Sequence, residues 1–255
     1  MSITPAAENH VTPLDPAARL SPVPDDFTLS RRSAMRWNAP LDETHAALLL
    51  DRLDVTDGTV VDLGAGWGEL LIRAVDGTAA RGIAVDTDEV AIERGRRAAK
   101  ERGAQVEFVE QDAASWQGRA DRALCIGASH AFGGTRQALA ALAGVTDHLL
   151  YGDGCWSADP TPAAHEIFGD DVLPLPGLLE ACRDTGWRVL HLSTADQREW
   201  DDFESTSRAG RLRWLLANPD DPRAAETREW LDTREREYVT AYRGVLGFAY
   251  LVLVK

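Results

Sequence analysis

The sequence predicts an α/β protein built on one doubly wound sheet of seven strands. Three observations predict it. Short apolar, β-branched runs alternate along the chain with stretches of helix length and composition. The first of those runs, Val60-Val61, opens directly into a glycine-rich turn, Asp62-Leu63-Gly64-Ala65-Gly66-Trp67-Gly68-Glu69, followed by Leu70-Leu71-Ile72. That is a strand–turn–helix corner of the kind found in such sheets. The chain then closes on Phe248-Ala249-Tyr250-Leu251-Val252-Leu253-Val254, a near-continuous apolar run that reads as a buried last strand.

Residues 1–26 carry five prolines and few large apolar groups, so they read as a poorly ordered leader before a single domain at 27–255. Within that domain, 27–52 form an N-terminal segment and helix. Asp42 can cap the helix, which runs to about Arg52. Strand one ends at Val60-Val61, and a helix begins at Trp67 to Glu69. Strand two is Ile83-Ala84-Val85-Asp86. Asp88 or Thr87 then caps a helix to Arg102 that Gly103 stops. Strand three is Val106-Glu107-Phe108-Val109 and strand four Ala123-Leu124-Cys125-Ile126, after which Thr135 caps a helix. Strand five, His148 to Tyr151, opens into an irregular stretch from Gly152 to Pro174, and a loop that long in a compact domain is usually functional. Pro176 starts a helix to Thr185 and Trp187 to Leu192 make strand six. Residues 196–243 read as helices inserted between the last two strands and broken at Asn218-Pro219-Asp220-Asp221-Pro222.

The glycine turn has a chemical meaning. Glycines at 64, 66 and 68 permit a turn that side chains could not follow, and the next helix points its free N–H groups at whatever the loop holds. A dinucleotide fingerprint would place its third glycine one residue later, and a phosphate loop would need a lysine that is absent here. Asp86, 22 residues after Gly64, stands at the tip of the neighbouring strand, where an acid can accept both hydroxyls of a ribose. The loop alone could also be an ordinary strand–turn–helix corner or a poor dinucleotide site, and Asp86 supports a nucleoside without saying which.

Written as Asp-x-Gly-x-Gly-x-Gly, the loop resembles the first motif of the class I S-adenosylmethionine-dependent methyltransferases. From about Ser30 to its end the chain resembles a bacterial family of small-molecule methyltransferases, mostly uncharacterised. The resemblance rests on Arg36-Trp37-Asn38-Ala39-Pro40, on Cys125-Ile126-Gly127-Ala128-Ser129-His130 with Gly133-Gly134, and on Trp200-Asp201-Asp202-Phe203-Glu204. It extends over Arg213 to Asp221 and Leu246-Gly247-Phe248. The chain departs from that pattern at Gly144-Val145-Thr146-Asp147, in place of a Pro-Gly-Gly turn, and at Asp153, often Glu. The resemblance implies the Rossmann-like class I methyltransferase fold and S-adenosyl-L-methionine as cofactor. It implies a cofactor site made of Trp37, Asp62, Gly64, Ala65, Gly66, Gly68, Asp86, Thr87, Asp112, Ala113 and Gly127, with Asp112 accepting from the adenine amino group.

Methyl transfer to an oxygen or nitrogen of a small molecule is the expected reaction. His130, at the tip of strand four, is the candidate base, the alternatives being that it orders its loop or binds substrate without moving a proton. Asn38, Phe132, Asp153 and Trp156 are expected at the acceptor, Asp153 and Trp156 being suited to a cationic or planar one. Trp67 either packs on the nucleoside or shields the turn. Residues 30–40, the loop around Asp153–Trp156 and the insertion are expected to roof the pocket, with 30–40 as a mobile lid. Other sulfonium chemistry, such as cyclisation, or cofactor binding without turnover would keep the same motifs.

Composition sets the bounds. With 27 Lys and Arg against 41 Asp and Glu, the net charge of −14 disfavours nucleic acid and suits a neutral or cationic acceptor, or simply a solvated surface. Three widely spaced cysteines fit a reducing cytoplasm. No run is long enough to span a membrane, and Asp42, His45, Glu69 and His165 have no metal-ligand spacing. The insertion helices could instead form a homodimer interface.

Overall fold

The computed structural model describes residues 25–255; the expected leader lies outside them, except for its last two residues. In chain order the elements are α1 (Asp26–Ser30), α2 (Glu43–Leu53), β1 (Thr59–Leu63), α3 (Glu69–Val75), β2 (Arg81–Asp86), α4 (Glu89–Arg102), β3 (Val106–Glu110) and β4 (Arg122–Ile126). There follow α5 (Thr135–Leu142), β5 (His148–Trp156), α6 (Pro162–Phe168), α7 (Leu175–Asp184), β6 (Arg188–Thr194), α8 (Gln197–Ala217), α9 (Ala224–Glu237) and β7 (Leu246–Val254). The seven strands form one sheet in the order β3-β2-β1-β4-β5-β7-β6, parallel except for β7. The order reverses between β1 and β4, and ligands of such sheets bind at the carboxyl edge beside that reversal.

Local chemistry explains most boundaries. Asp42 caps α2 by accepting from the His45 N–H at 2.7 Å, and Asp88 caps α4 from Val90 and Ala91. Gly103, at φ +68°, ends α4 in the left-handed conformation that glycine adopts without strain. Asp196 and Glu199 form a reciprocal capping box at the start of α8. Glu199 also accepts from Asp42 N–H and meets the His45 ring at 2.8 Å, while the other ring nitrogen of His45 lies 2.7 Å from Ser193. The insertion is thereby fastened to α2 and β6. Its break falls at 218–223, as the proline pair predicts.

Two expectations are corrected around β5. The strand runs on to Trp156 instead of ending at Tyr151, because β7 pairs with it along nine residues, from His148↔Val254 to Trp156↔Leu246. Gly152-Asp153-Gly154 has little intrinsic strand preference, and the apolar ladder of β7 imposes the conformation. The stretch after it contains α6, with Thr161 capping. The cap of α5 is Gly134; Thr135 instead turns its hydroxyl to Asp153, 2.7 Å away.

Asp153 is consequently an internal fastener and not a loop acid. It is 8% exposed and accepts from Ser129 Oγ, Thr135 Oγ1, Tyr151 Oη and its neighbour Gly154 N–H, at 2.7–3.1 Å. Burial and the Asp153 carboxylate hold the Tyr151 phenol well above its usual pKa, so it stays a donor. Asp153→Ala leaves the Tyr151 hydroxyl buried without an acceptor, at a cost on the order of 3 kcal/mol. Urea denaturation should show the midpoint falling with an unchanged slope; an unaltered midpoint would contradict this role.

Candidate active site

The site grows from the turn after β1. Gly64, Gly66 and Gly68 have φ of +84°, +56° and +66°, so each needs the freedom of glycine. At Gly64 a Cβ would also lie 2.3 Å from the Ala128 methyl. The β1 turn and the β4 turn therefore touch backbone to side chain, and no residue but glycine fits there. Gly64 and Ala65 N–H donate to the Val85 carbonyl at 2.9 and 3.0 Å, which folds the loop back over the end of β2. Gly66 N–H donates to Asp86 Oδ2 at 2.6 Å, and Asp88 N–H to Asp86 Oδ1 at 2.9 Å. Each oxygen of Asp86 is thus aimed by one backbone donor and keeps capacity for another.

These turns enclose a cavity of about 260 Å³ lined by Gly64, Asp86, Thr87, Asp112, Ala113, Gly127 and His130, together with Arg32, Asn38, Ile126 and Ala128. Asp112 is steadied by Ala114 N–H on Oδ1 at 3.0 Å. His130 lines this cavity, and its ring makes no hydrogen bond among the described residues. A smaller one, about 50 Å³, adjoins it at Gly64, with Trp37, Asp62 and Ala65 in its wall and Asn38 common to both. Gly66 and Gly68 line neither cavity and act through backbone shape, Gly68 packing near the Phe108 ring.

Asp62 has the least ordinary environment. It sits within the central parallel strand at 4% exposure, and its Oδ1 has no hydrogen-bond partner among the described residues. Burial first, then the charge of Asp86, push its pKa up to about 7. It lines the small cavity.

Segment 30–40 lies across both cavities and is stitched down. Trp67 Nε1 donates to the Arg36 carbonyl at 2.9 Å, Arg94 to the carbonyls of Arg32 and Met35, and Tyr250 Oη to that of Pro40 at 2.9 Å. The Trp67 ring lies under Arg94, 4.1 Å from the guanidinium, and Trp67 also lines the small cavity. Trp37 is buried beneath Arg73.

Three residues expected at the acceptor are placed elsewhere. Asp153 is saturated as described. Phe132 packs on the apolar layer of the sheet face covered by α5 and α7. Trp156 is buried against His165 and Phe168, with centroids 5.6 and 6.2 Å apart, so it supports α6. The sequence reading also missed Arg32, which lines the larger cavity; its backbone at φ +60° leaves no local signal in an arginine.

Comparison with known proteins fits this geometry. A methyltransferase-domain profile matches residues 60–149. The uncharacterised protein YjhP of Escherichia coli K12 is 33% identical over 247 residues, covering 91% of this chain and 98% of that one. YjhP's X-ray structure superposes on this fold with a TM-score of 0.80. The S-adenosylmethionine-dependent methyltransferases of Geobacter sulfurreducens and Thiobacillus denitrificans, both crystallised with S-adenosyl-L-homocysteine, give TM-scores of 0.82 and 0.81. They are 29% and 31% identical, over 91% of this chain and 98% of each of theirs. The chain belongs to the S-adenosylmethionine-dependent methyltransferases. Among the described residues of this methyltransferase no helix is long and apolar enough to cross a membrane, and no cluster of three His, Cys, Asp or Glu side chains could hold a metal.

The Asp62 environment predicts a pH signature. Its folded pKa is raised above the unfolded value, so its contribution favours the fold below about pH 4 and is lost as pH rises through 7. Asp62→Asn removes that loss, and the variant should gain stability over the parent progressively between those limits, up to on the order of 4 kcal/mol. Denaturation curves at pH 4.5 and 8 measure it; a constant difference between the two proteins would show that Asp62 is not neutral in the fold.

Proposed function

We propose that this methyltransferase moves a methyl group from S-adenosyl-L-methionine to an oxygen or nitrogen of a small molecule. The observation that carries the reading is the pair of small cavities, about 50 and 260 Å³, that meet at Asn38 under segment 30–40. The residues fit the cofactor chemically. Asp86, with one oriented lone pair left on each oxygen, suits the two ribose hydroxyls, and Asp112 beside Ala113 suits the adenine amino group. Asp62, with its pKa raised by burial and its Oδ1 short of a partner, suits the ammonium of the methionine end, whose charge would favour the carboxylate. Gly64, Ala65 and Gly127 offer backbone at close approach, Thr87 lies beside Asp86, and Trp37 closes the wall of the small cavity. When bound, the cofactor supplies a methyl on a sulfonium, and the electron pair of the broken sulfur–carbon bond stays on sulfur as an acceptor lone pair takes the methyl.

The chain's part is mainly to align the two reactants and keep water out, which can supply roughly 7–11 kcal/mol. Asn38, exposed to both cavities, provides an amide to orient the acceptor. His130, on the same cavity with no competing partner among the described residues, receives the acceptor's proton at a ring nitrogen. The three buried, unpaired cysteines accord with a reducing cytoplasm as the site of action.

His130→Ala should lower kcat by about 10²–10⁴-fold while S-adenosyl-L-homocysteine binds as before. Transfer of labelled methyl together with calorimetry measures both. Undiminished kcat would leave His130 as a residue that merely orders its loop.

A further inference from the structure

A third cavity, about 600 Å³, opens beside the cofactor cavity and shares Arg32 and Asn38 with it. It lies between α1, residues 31–38 and the α8–α9 pair. Its wall holds five arginines, at 31, 32, 211, 223 and 234, against one carboxylate, Glu226. The chain as a whole has 41 acids to 27 bases, so this local excess runs against the overall charge.

Two of the five are already neutralised. Arg223 is paired with Asp25 at 2.6 Å and with Asp221 at 2.9 Å, and Arg234 with Glu204 at 2.9 Å. Of the other three, Arg32 has only a 3.5 Å ion pair with Asp88. Arg211 lies over the Phe27 ring at 3.5 Å, and its Nη1 is buried with no hydrogen-bond partner among the described residues. Arg31 forms no ion pair among them. Burial lowers the pKa of Arg211 and of Arg32, and the charge of Arg31 lowers both further, partly offset by Asp25 at Arg211 and by Asp88 and Asp86 at Arg32. A guanidinium with one buried, unpaired donor and like charges around it is costly unless an anion joins it. The rest of the chamber is apolar: Phe203 lines it, and Trp230 is 47% exposed where a core residue would be covered.

We propose that this chamber seats the methyl acceptor and that the acceptor is an organic anion, an oxyanion carried on an aromatic or aliphatic body. Arg31, Arg32 and Arg211 hold the oxyanion, and Phe203 and Trp230 cover the body. The shared wall at Arg32 and Asn38 then brings the acceptor to the cofactor cavity. The assignment rests on the small-molecule reading above, and it reverses the preference for a neutral or cationic acceptor that net charge alone suggests.

The test uses the full chain saturated with S-adenosyl-L-homocysteine and two fluorescent probes that share an aromatic body, 8-anilinonaphthalene-1-sulfonate and the uncharged N-phenyl-1-naphthylamine. The sulfonate should bind the parent more tightly than its neutral analogue. Arg31→Gln and Arg211→Gln should each weaken the sulfonate by about tenfold or more, leaving the neutral probe and S-adenosyl-L-homocysteine unaffected. Arg31 is exposed, so its variant keeps the test valid if the loss of Arg211 loosens Phe27. Equal binding of the two probes, or sulfonate binding unchanged in both variants, would overturn the proposal. Sulfonate binding through these arginines without methyl transfer to any oxygen or nitrogen would overturn the proposed reaction instead.

Discussion

The site depends on one steric constraint: at residue 64 the backbone passes so close to Ala128 that no side chain can be present. That contact fixes the spacing between the turns after β1 and β4, which are the two sides of the crevice where the strand order reverses. With the turns locked, Gly66 N–H reaches the Asp86 carboxylate and aims it, and the floor of the larger cavity is set before anything binds. Pre-alignment of this kind is what a displacement reaction needs, since alignment supplies most of what the protein contributes.

The roof is built with the same economy. Segment 30–40 is held by side chains from three separate elements: Trp67 in the glycine turn, Arg94 in α4 and Tyr250 in β7. On its far side Gly210 of α8 allows the Ser30 carbonyl to approach to where a Cβ would stand 2.1 Å away. The segment is a middle layer between glycine turn and insertion, and it contributes residues to both neighbours: Asn38 and Arg32 face the cofactor cavity and the arginine-lined chamber at once. A lid so fastened must break several contacts to open.

Much of this was legible in the sequence because short-range chemistry dictates it. The glycine spacing, the acid at 86, the caps at 42 and 88 and the break near 218–222 all declare themselves within a few residues. What was not legible depended on distant partners. Gly152 to Trp156 reads as loop and becomes strand because β7, about ninety residues later, pairs with it. Asp153 and Phe132 looked free to meet an acceptor, yet their partners, Thr135 and the apolar layer under α5, draw them inward. Net charge is blind to such gathering for a related reason: it averages over a surface, whereas five arginines from both ends of the sequence line one chamber.

The claim that the locked turn creates the cofactor site is tested most directly by Gly64→Ala. The added methyl must displace either the loop or the turn at Ala128, and it also strains a φ of +84°, so the geometry at Asp86 and Asp62 is lost. Far-ultraviolet circular dichroism should still report the α/β fold at 20 °C, while calorimetry should show binding of S-adenosyl-L-homocysteine weakened by about a hundredfold or more. A folded Gly64→Ala protein that binds S-adenosyl-L-homocysteine as tightly as the parent would contradict the account.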